Sequence, residues 1–246
     1  MTQKATRNRS EDRKASAQVL IVDDHPVFRE GLAGILARER NLTVVGQASS
    51  ARQAITTIQR CKPDLVLLDL SLPDKSGLEF VKDLRALHPD MAVLVISMHD
   101  ETLYAERLLR AGANGYVMKE EGPEKILEAI RQVLDHDTYV SSRMSSRILN
   151  SLSSTGRKSN SPISKLTDRE FEIFRLIGEG HDSRDISRQL GVSPKTVDTH
   201  RSHIKEKLRL GNGMELICYA VRWMQTQPMP PPGTKSDVGA MPSSSG

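Results

Sequence analysis

Apolar residues between Gln18 and Val140 come in short runs that alternate with longer amphipathic stretches. Such alternation predicts strands that are each followed by a helix, as in a doubly wound α/β domain. The predicted strands cover 18–22, 43–48, 65–69, 92–97 and 115–118, and the predicted helices cover 27–40, 51–60, 77–87, 101–111 and 123–134. The first half is therefore predicted to be a five-stranded parallel sheet of the flavodoxin-like type.

The second half shows the start signals of short helices. Thr167 and Glu170 form a capping box, Asp182 is placed to cap a second helix, and Ser193-Pro194 opens a third. The helices are predicted to end near residues 178, 190 and 208, and a fourth covers 214–225. Two short helices joined by a turn at Gly191, the second polar and basic, predict a helix-turn-helix that fits the DNA major groove.

Composition suggests where these two parts begin and end. We predict a disordered basic segment at 1–16, the α/β domain at 17–140, a serine-rich linker at 141–164, the all-α four-helix domain at 165–226 and a disordered Pro/Ser-rich tail at 227–246. Within the linker, 143–152 has the apolar spacing of a short helix, and 153–164 is predicted to be flexible.

Charge separates the two predicted domains. The chain has 246 residues and a net charge of +4, but 17–140 carries −5 (14 Lys/Arg against 19 Asp/Glu) and 141–225 carries +6 (15 against 9). This asymmetry indicates a control module joined to a module that binds a polyanion. Two isolated cysteines and the lack of a long apolar run indicate a cytoplasmic protein that does not cross a membrane.

Polar residues follow four of the five predicted strands. Asp23-Asp24 ends the first strand, Asp69 the third and Ser97 the fourth, and Lys119 follows the fifth. The carboxyl ends of parallel strands meet at one edge of a sheet, where ligands are usually bound. Each residue alone has an ordinary explanation as a helix cap or a loop cation, but their joint occurrence favours a site.

Three carboxylates at one edge repel one another and require a cation or a proton. Mg²⁺ is the expected cation, with Asp24 and Asp69 as direct ligands, Asp23 binding directly or through water, and the backbone carbonyl of Ser71 as a further ligand. The ammonium of Lys119 would help neutralise a phosphoryl group on Asp69. Such a transfer needs positioning and charge neutralisation rather than a general base.

The motifs VLIVDDHPVFREGL, LVLLDLSLPDKSGLEF, VLVISMHD and AGANGYVMKE resemble those of the receiver domain of two-component response regulators. The resemblance implies that Asp69 is the phospho-acceptor, that Asp23 and Asp24 form the acidic metal pocket and that Lys119 contacts the phosphate. Glu120 departs from the family, because many receivers have proline after the lysine.

The same resemblance implies a switch. Ser97 takes the hydroxyl position and Tyr116 the aromatic position of the receiver switch. A phosphoryl group on Asp69 would draw Ser97 inward, and Tyr116 would then fill the space beneath the fourth strand. The alternative is that Tyr116 is an ordinary core residue.

The stretch LTDREFEIFRLIGEGHDSRDISRQLGVSPKTVDTHRSHIKEKL is similar to LuxR-type DNA-binding domains, and the whole layout resembles the NarL/FixJ class. The resemblance implies that Asp198, Thr199 and Ser202 face bases. The phosphate candidates are Lys195, Thr196, His200, Arg201 and Lys205. Asp198 either accepts a hydrogen bond from a cytosine amino group or makes no DNA contact. In the family the last helix packs on the domain and helps to pair two copies on DNA, and the alternative is that its apolar face is only part of the core.

These expectations describe a transcription factor that is not classed as an enzyme. Its expected partners are a sensor histidine kinase, double-stranded DNA and a second copy of the chain after phosphorylation, with RNA polymerase as a further candidate. Two alternatives stay open: a DNA-binding protein whose receiver is only an interaction scaffold, and a flavodoxin-like or phospho-aspartyl phosphatase enzyme. The latter needs a second catalytic acid near Asp69, and Ser71 is not one.

Overall fold

The computed structural model describes residues 16–153 and 162–225. The predicted disordered tails therefore lie outside the described residues, apart from Ser16, and so does 154–161 within the predicted linker.

Five parallel strands form the sheet that the sequence predicts. They are β1 (Ala17–Val22), β2 (Leu42–Ala48), β3 (Leu65–Leu68), β4 (Ala92–Ser97) and β5 (Gly115–Met118), in the spatial order β2-β1-β3-β4-β5. All four residues of β3 are buried, as expected for a central strand covered on both faces. The order places the ends of β1 and β3 side by side, with β5 at the edge.

Five helices cover the two faces of the sheet: α1 (Pro26–Leu36), α2 (Ala51–Cys61), α3 (Gly77–Leu87), α4 (Glu101–Ala111) and α5 (Gly122–Leu134). Only α1 differs clearly from its prediction, because it ends at Leu36 rather than Arg40. Residues 38–41 are polar, and the N–H of Leu42 donates to the carbonyl of Glu39 at 3.3 Å. The chain therefore leaves the helix through a turn that leads directly into β2.

The predicted linker contains the short helix that its apolar spacing indicated, and it also contains a turn within the stretch that was predicted to be flexible. It contains helix α6 (Ser142–Ser153) and a 3-10 turn at Pro162–Lys165. The N–H of Ser141 donates to Glu101 at 2.7 Å, and Met144 is buried. Ile163 in the 3-10 turn is buried as well. The burial of Met144 agrees with the predicted helix, whereas Ile163 is buried in a stretch whose serine-rich composition indicated flexibility.

The C-terminal part consists of α7 (Asp168–Gly178), α8 (Ser183–Gln189), α9 (Pro194–Leu208) and α10 (Gly213–Gln225). Thr167, Asp182 and Ser193 cap the first three of these helices through their side chains. Gly191 has a positive φ of 64° at the turn between α8 and α9, a conformation that favours glycine. The helix-turn-helix geometry of the prediction is therefore present.

One apolar cluster continues from the sheet into the helical part. It includes Val95 and Tyr104 on one side, and Phe171, Phe174 and Leu216 on the other. The two parts of the chain thus share a packed boundary. Within the described part of the chain, no helix is both long and apolar enough to cross a membrane.

Candidate functional site

The acidic edge of the sheet brings together the side chains that the sequence selected. Asp23 at the end of β1 and Asp69 after β3 are both buried. The Nζ of Lys119, after β5, lies 2.6 Å from Asp23 Oδ2 and 3.0 Å from Asp69 Oδ2. The lysine is itself buried and stacks over the Phe28 ring at 4.4 Å. It therefore bridges two carboxylates that would otherwise repel each other.

His25 also belongs to this edge, and the sequence analysis missed it. Its Nδ1 lies 2.7 Å from Asp24 Oδ1, 3.4 Å from Asp23 Oδ1 and 3.9 Å from Asp69 Oδ2. The signal was available, because His25 directly follows the Asp23-Asp24 pair. Its exposed side chain places an imidazole at the entrance to the acidic edge.

The donor set of this edge fits a divalent cation. Asp23, Asp24, His25 and Asp69 each offer a ligand atom within 4.8 Å of the others. Asp24 Oδ1 is buried without a hydrogen-bond partner among the described residues, since the nearby His25 nitrogen lies outside hydrogen-bond geometry. Three carboxylates against one ammonium leave excess negative charge, which a hard cation with oxygen ligands would neutralise.

Asp69 is held in an environment that disfavours its charged form. Burial raises the pKa of its carboxyl group above the ordinary value, the Lys119 ammonium opposes this shift, and the charge of Asp23 adds to it. A backbone hydrogen bond from Ser71 also favours the ionised form. The carboxylate thus gains from any cation placed beside it.

Ser97 and Tyr116 meet through the backbone of His99. Both side chains are fully buried. The Tyr116 hydroxyl donates to the His99 carbonyl at 2.6 Å, and the His99 N–H donates to Ser97 Oγ at 3.2 Å. The Tyr116 ring is thus in the interior in this structure, next to the segment that Ser97 binds. Burial raises its pKa, so that the phenol is a neutral donor.

A row of rings leads from this point into the helical part. The His99 ring stacks on Tyr104 at 5.2 Å, and Tyr104 meets Phe171 edge to face at 5.3 Å. Phe171 in turn packs against Trp223 of α10 at 5.9 Å. The backbone segment that Ser97 and Tyr116 both bind is therefore two ring contacts away from α7.

Charged groups on α3 and α4 hold the start of α7. Asp168 binds Lys82 and also Arg107, whose Nη1 lies 2.9 Å from Asp168 Oδ1. The same guanidinium donates to the carbonyls of Leu166 at 3.0 Å and Ile163 at 3.1 Å. Its carbon lies 4.5 Å above the Phe171 ring, a cation–π contact. Arg107 is thus the most connected residue of this boundary.

Glu172 of α7 is buried at the same boundary. It accepts a hydrogen bond from the Ser76 hydroxyl, and its other oxygen lies 3.5 Å from Arg169 Nη1. Burial raises the pKa of Glu172 to about 7, the charge of Glu79 adds to the rise, and Arg169 and Arg175 oppose it. Three atoms here are buried without hydrogen-bond partners in the described part of the chain: Glu172 Oε2, Arg169 Nη1 and Arg175 Nε.

Helix α9 presents most of its predicted DNA-binding residues to solvent. Lys195, Asp198, Thr199 and Ser202 are exposed, and Thr196, His200, Arg201 and Lys205 are half-buried. Some of these side chains also have partners within the chain. Asp198 accepts from Ser183 at 2.9 Å, and Arg201 lies 3.2 Å from the same hydroxyl. Thr196 belongs to the helix cap with Ser193.

Helix α10 has one buried and one exposed apolar face. Leu216 and Ala220 are buried, whereas Met214 and Ile217 are exposed by 68% and 38%. A helical face with exposed apolar side chains is typical of a surface that pairs with a partner.

A parallel five-stranded sheet with this acidic edge, followed by a helix-turn-helix, defines the response-regulator class. Residues 19–131 match the family model described as a response regulator receiver domain. Residues 164–220 match the model described as bacterial regulatory proteins of the luxR family.

Characterised relatives cover both parts together. The oxygen regulatory protein NreC of Staphylococcus carnosus is 35% identical over 210 residues, which cover 83% of this chain and 97% of the relative. The response regulator GacA of Pseudomonas aeruginosa is 38% identical over 205 residues, covering 83% and 95%. The chain belongs to the NarL/FixJ class of response regulators, and it combines a receiver with a LuxR-type DNA-binding domain that acts in transcription regulation.

The solved structures agree with this membership. RcsB from Salmonella enterica serovar Typhimurium, bound to promoter rprA in the presence of the phosphomimetic BeF3−, is 25% identical with a TM-score of 0.62. The match covers 84% of this chain and 98% of RcsB. A LuxR-family regulator from Aurantimonas sp. SI85-9A1 is 30% identical over 56% of this chain and 99% of its own, with a TM-score of 0.53.

Proposed function

We propose that Asp69 accepts a phosphoryl group from a sensor histidine kinase and that this modification switches dimerisation and promoter binding. The observation that carries the proposal is the position of Asp69 Oδ2, which lies 3.0 Å from Lys119 Nζ in a cluster of three carboxylates at the end of β3. In the transfer, a carboxylate oxygen of Asp69 forms a bond to phosphorus as the P–N bond of the donor phosphohistidine breaks, and the electron pair of that bond stays on the imidazole.

Other residues of the chain bind the phosphoryl group, respond to it or hold the metal ion. Lys119 neutralises phosphoryl oxygens and orients Asp69, and Ser97 is the hydroxyl that turns toward the new group. Tyr116 binds the carbonyl of His99, whose N–H binds Ser97, so that a movement of Ser97 changes the segment that Tyr116 holds. Asp23, Asp24, Asp69 and the Ser71 carbonyl would hold Mg²⁺, which supplies charge neutralisation for the transferring group when it is bound.

Intact-mass measurement tests the acceptor directly. The purified chain is incubated with acetyl phosphate and Mg²⁺, and we expect a mass gain of one phosphoryl group that Asp69→Asn abolishes. Asp83→Asn is a matched control, because Asp83 is a partly exposed carboxylate on α3 outside the acidic edge. Absence of any mass gain would favour the scaffold alternative, and steady hydrolysis of phosphomonoesters would favour the phosphatase alternative.

For DNA we propose that α9 enters the major groove. Thr199, Ser202 and Asp198 contact bases, and the positively charged or polar residues around them contact phosphates: Lys195, Thr196, His200, Arg201 and Lys205. The exposed faces of Lys195 and Thr199 support this arrangement. The exposed Met214 and Ile217 of α10 support pairing of two copies on paired half-sites. We place the protein in the cytoplasm, with RNA polymerase as a further partner at the promoter.

Two substitutions separate phosphate contacts from base contacts. Lys195→Ala should weaken binding to all sequences alike and lower the salt slope of binding by about 1, because a phosphate contact releases a counterion. Thr199→Val should instead change which operator variant is preferred. Titrations of labelled duplexes at several salt concentrations measure both effects. If Lys195→Ala altered sequence preference and Thr199→Val did not, the proposed orientation of α9 would be wrong.

A further inference from the structure

Three potential metal ligands meet where α9 lies against the start of α7. Glu170, His200 and His203 each offer a ligand atom within 4.8 Å of the other two. The two imidazole rings have centroids 6.4 Å apart and are nearly perpendicular, at 88°. This cluster is separate from the acidic edge of the receiver, and the proposed phosphoryl transfer uses none of its members, although His200 is also one of the proposed DNA-phosphate contacts of α9.

The helices themselves bring these groups together. His200 and His203 are three residues apart on α9, a spacing that places side chains on the same face. Val197 and Ile204 point into the core. His200 lies between them in sequence and is half-buried, whereas His203 is exposed. The pair thus extends from the core boundary to the surface beside α7.

Glu170 is held in place before any ion arrives. It is the third residue of α7, and its Oε2 accepts hydrogen bonds from the Thr167 N–H at 2.7 Å and from Lys207 Nζ at 2.6 Å. Both bonds end on the same oxygen, and the carboxylate is buried. A fixed carboxylate loses little conformational entropy when it binds a ligand.

One ring nitrogen of His200 lacks a hydrogen-bond partner in the described structure. Its Nδ1 is buried and has no hydrogen-bond partner among the described residues. Burial lowers the pKa of this imidazole and the charge of Arg169 lowers it further, which favours the neutral ring. A neutral imidazole is the form that binds a metal ion, and a buried unpaired nitrogen is costly unless something binds it.

We propose that Glu170, His200 and His203 form a binding site for a divalent transition-metal ion, most suitably Zn²⁺. Two imidazoles and one carboxylate are the donor set of three-ligand zinc sites, in which water takes the fourth position. Mg²⁺ prefers an all-oxygen octahedral set and is the wrong ion here. An ion in this site joins the proposed recognition helix to the first turn of α7, the helix that contacts the receiver.

Co²⁺ is a suitable probe, because its visible absorption reports the ligand type and geometry. We expect the full-length chain with saturating Mg²⁺ to show a tetrahedral Co²⁺ spectrum that Zn²⁺ displaces. His203→Ala should weaken Co²⁺ binding by more than the roughly 10- to 100-fold that follows loss of an outer-sphere partner. His181→Ala is the matched control, because His181 is another exposed histidine of the same helical part and lies outside the cluster.

A third variant distinguishes the loss of a metal ligand from a general disturbance of the fold. His203→Cys retains a ligand for Co²⁺ and should restore binding with an added thiolate-to-cobalt charge-transfer band. The melting temperature of the wild-type chain should also rise with Zn²⁺, and this rise should be absent in His203→Ala. Unchanged Co²⁺ affinity and stoichiometry in His203→Ala, or equal losses in His203→Ala and His181→Ala, would overturn the proposal. Neither result depends on phosphorylation of Asp69.

Discussion

Charged groups are buried in two regions of this protein, at the acidic edge of the receiver and at the boundary between receiver and α7, but they are paired differently. At the acidic edge, Lys119 lies within 2.6 Å and 3.0 Å of two carboxylates. At the boundary, Glu172 and Arg169 approach only to 3.5 Å, and each keeps a buried atom without a hydrogen-bond partner in the described residues.

The difference concerns what each region lacks. The acidic edge has an excess of one sign of charge, so that a cation or a phosphoryl group with its cation completes it. Around Glu172, the boundary already contains both signs of charge and lacks good geometry between them. Buried charges that are imperfectly paired contribute little net stability, because desolvation offsets their attraction. The first region is therefore suited to receive a ligand, and the second is suited to separate.

The largest expected effect comes from Glu172. Its pKa of about 7 lies above the ordinary value of 4.5, so the folded state favours the protonated form. The stability that the protonated Glu172 contributes is fully present below about pH 4.5 and is lost as pH rises through 7. Over this range the free energy of unfolding should fall by roughly 1.4 kcal/mol per pH unit, and by about 3 kcal/mol in all. Urea unfolding of the wild type and of Glu172→Gln across this range measures the difference between the two.

The Glu172→Gln variant also separates the pH dependence caused by Glu172 from that caused by His99, which acts in the opposite direction. Burial, together with the charges of Arg175 and Lys119, lowers the pKa of His99 to about 3, so that its contribution to stability is lost as pH falls from 6.5 toward 3. Between pH 4.5 and 6.5 the two residues oppose each other in the wild type. The charged or titratable groups around Glu172 come from three helices: Glu79 of α3, Tyr104 of α4, and Arg169 and Arg175 of α7. Parallel pH profiles for the two proteins would show that Glu172 is already ionised and well paired.

Arg107 tests the boundary at its most connected residue. Arg107→Ala removes the ion pair with Asp168, two hydrogen bonds to carbonyls and the contact with the Phe171 ring. We expect it to favour separation of the two domains by about 2 kcal/mol, a shift of roughly 30-fold, because the removed interactions are largely shielded from water. Small-angle X-ray scattering of the unphosphorylated protein should show a larger radius of gyration.

Arg110→Ala is the control for this change, since Arg110 lies one turn further along α4 and pairs only with the exposed Glu106 in the described structure. Equal scattering curves for Arg107→Ala and the wild type would show that the apolar contacts alone hold the domains together.

The smallest effect concerns the acidic edge itself. Burial and the neighbouring Asp23 raise the pKa of Asp69, so its ionised form is destabilising in the folded state above the ordinary pKa of 3.8. Asp69→Asn should therefore raise the stability of the receiver at pH 7, by less than the two changes above, because it removes a buried charge. The gain should shrink when Mg²⁺ is added to the wild type. Thermal unfolding with and without Mg²⁺ measures it, and a loss of stability would indicate that the Lys119 pair dominates.

The strand-end rule explains why the acidic edge could be predicted from sequence. Asp23, Asp69 and Lys119 follow three strands whose order is set by the α/β pattern, so their meeting follows from topology. The boundary could not be predicted in this way. Ser76 and Glu172 are 96 residues apart, and neither has a local pattern that indicates its partner. His25 was within reach of the strand-end rule but was overlooked.

The helical part shows the same division. Capping residues and the Gly191 turn are local signals, and the structure confirms them. The pairing of Asp198 with Ser183 depends on a neighbour on another helix, as the interior position of Tyr116 in the receiver depends on the distant His99. Local chemistry thus predicted the elements, whereas side-chain partners across elements required the three-dimensional structure.

The hydroxyl of Ser76 makes two hydrogen bonds at the same time. It caps α3 by accepting from the Glu79 N–H at 3.4 Å, and it donates to Glu172 of α7. The segment between Asp69 and this serine is short and closed, since the Gly77 N–H donates to the Leu70 carbonyl at 3.2 Å and a side chain at Gly77 would clash with Leu70. Ser76 therefore joins the loop that follows Asp69 directly to the DNA-binding half, in parallel with the ring contacts beyond β4.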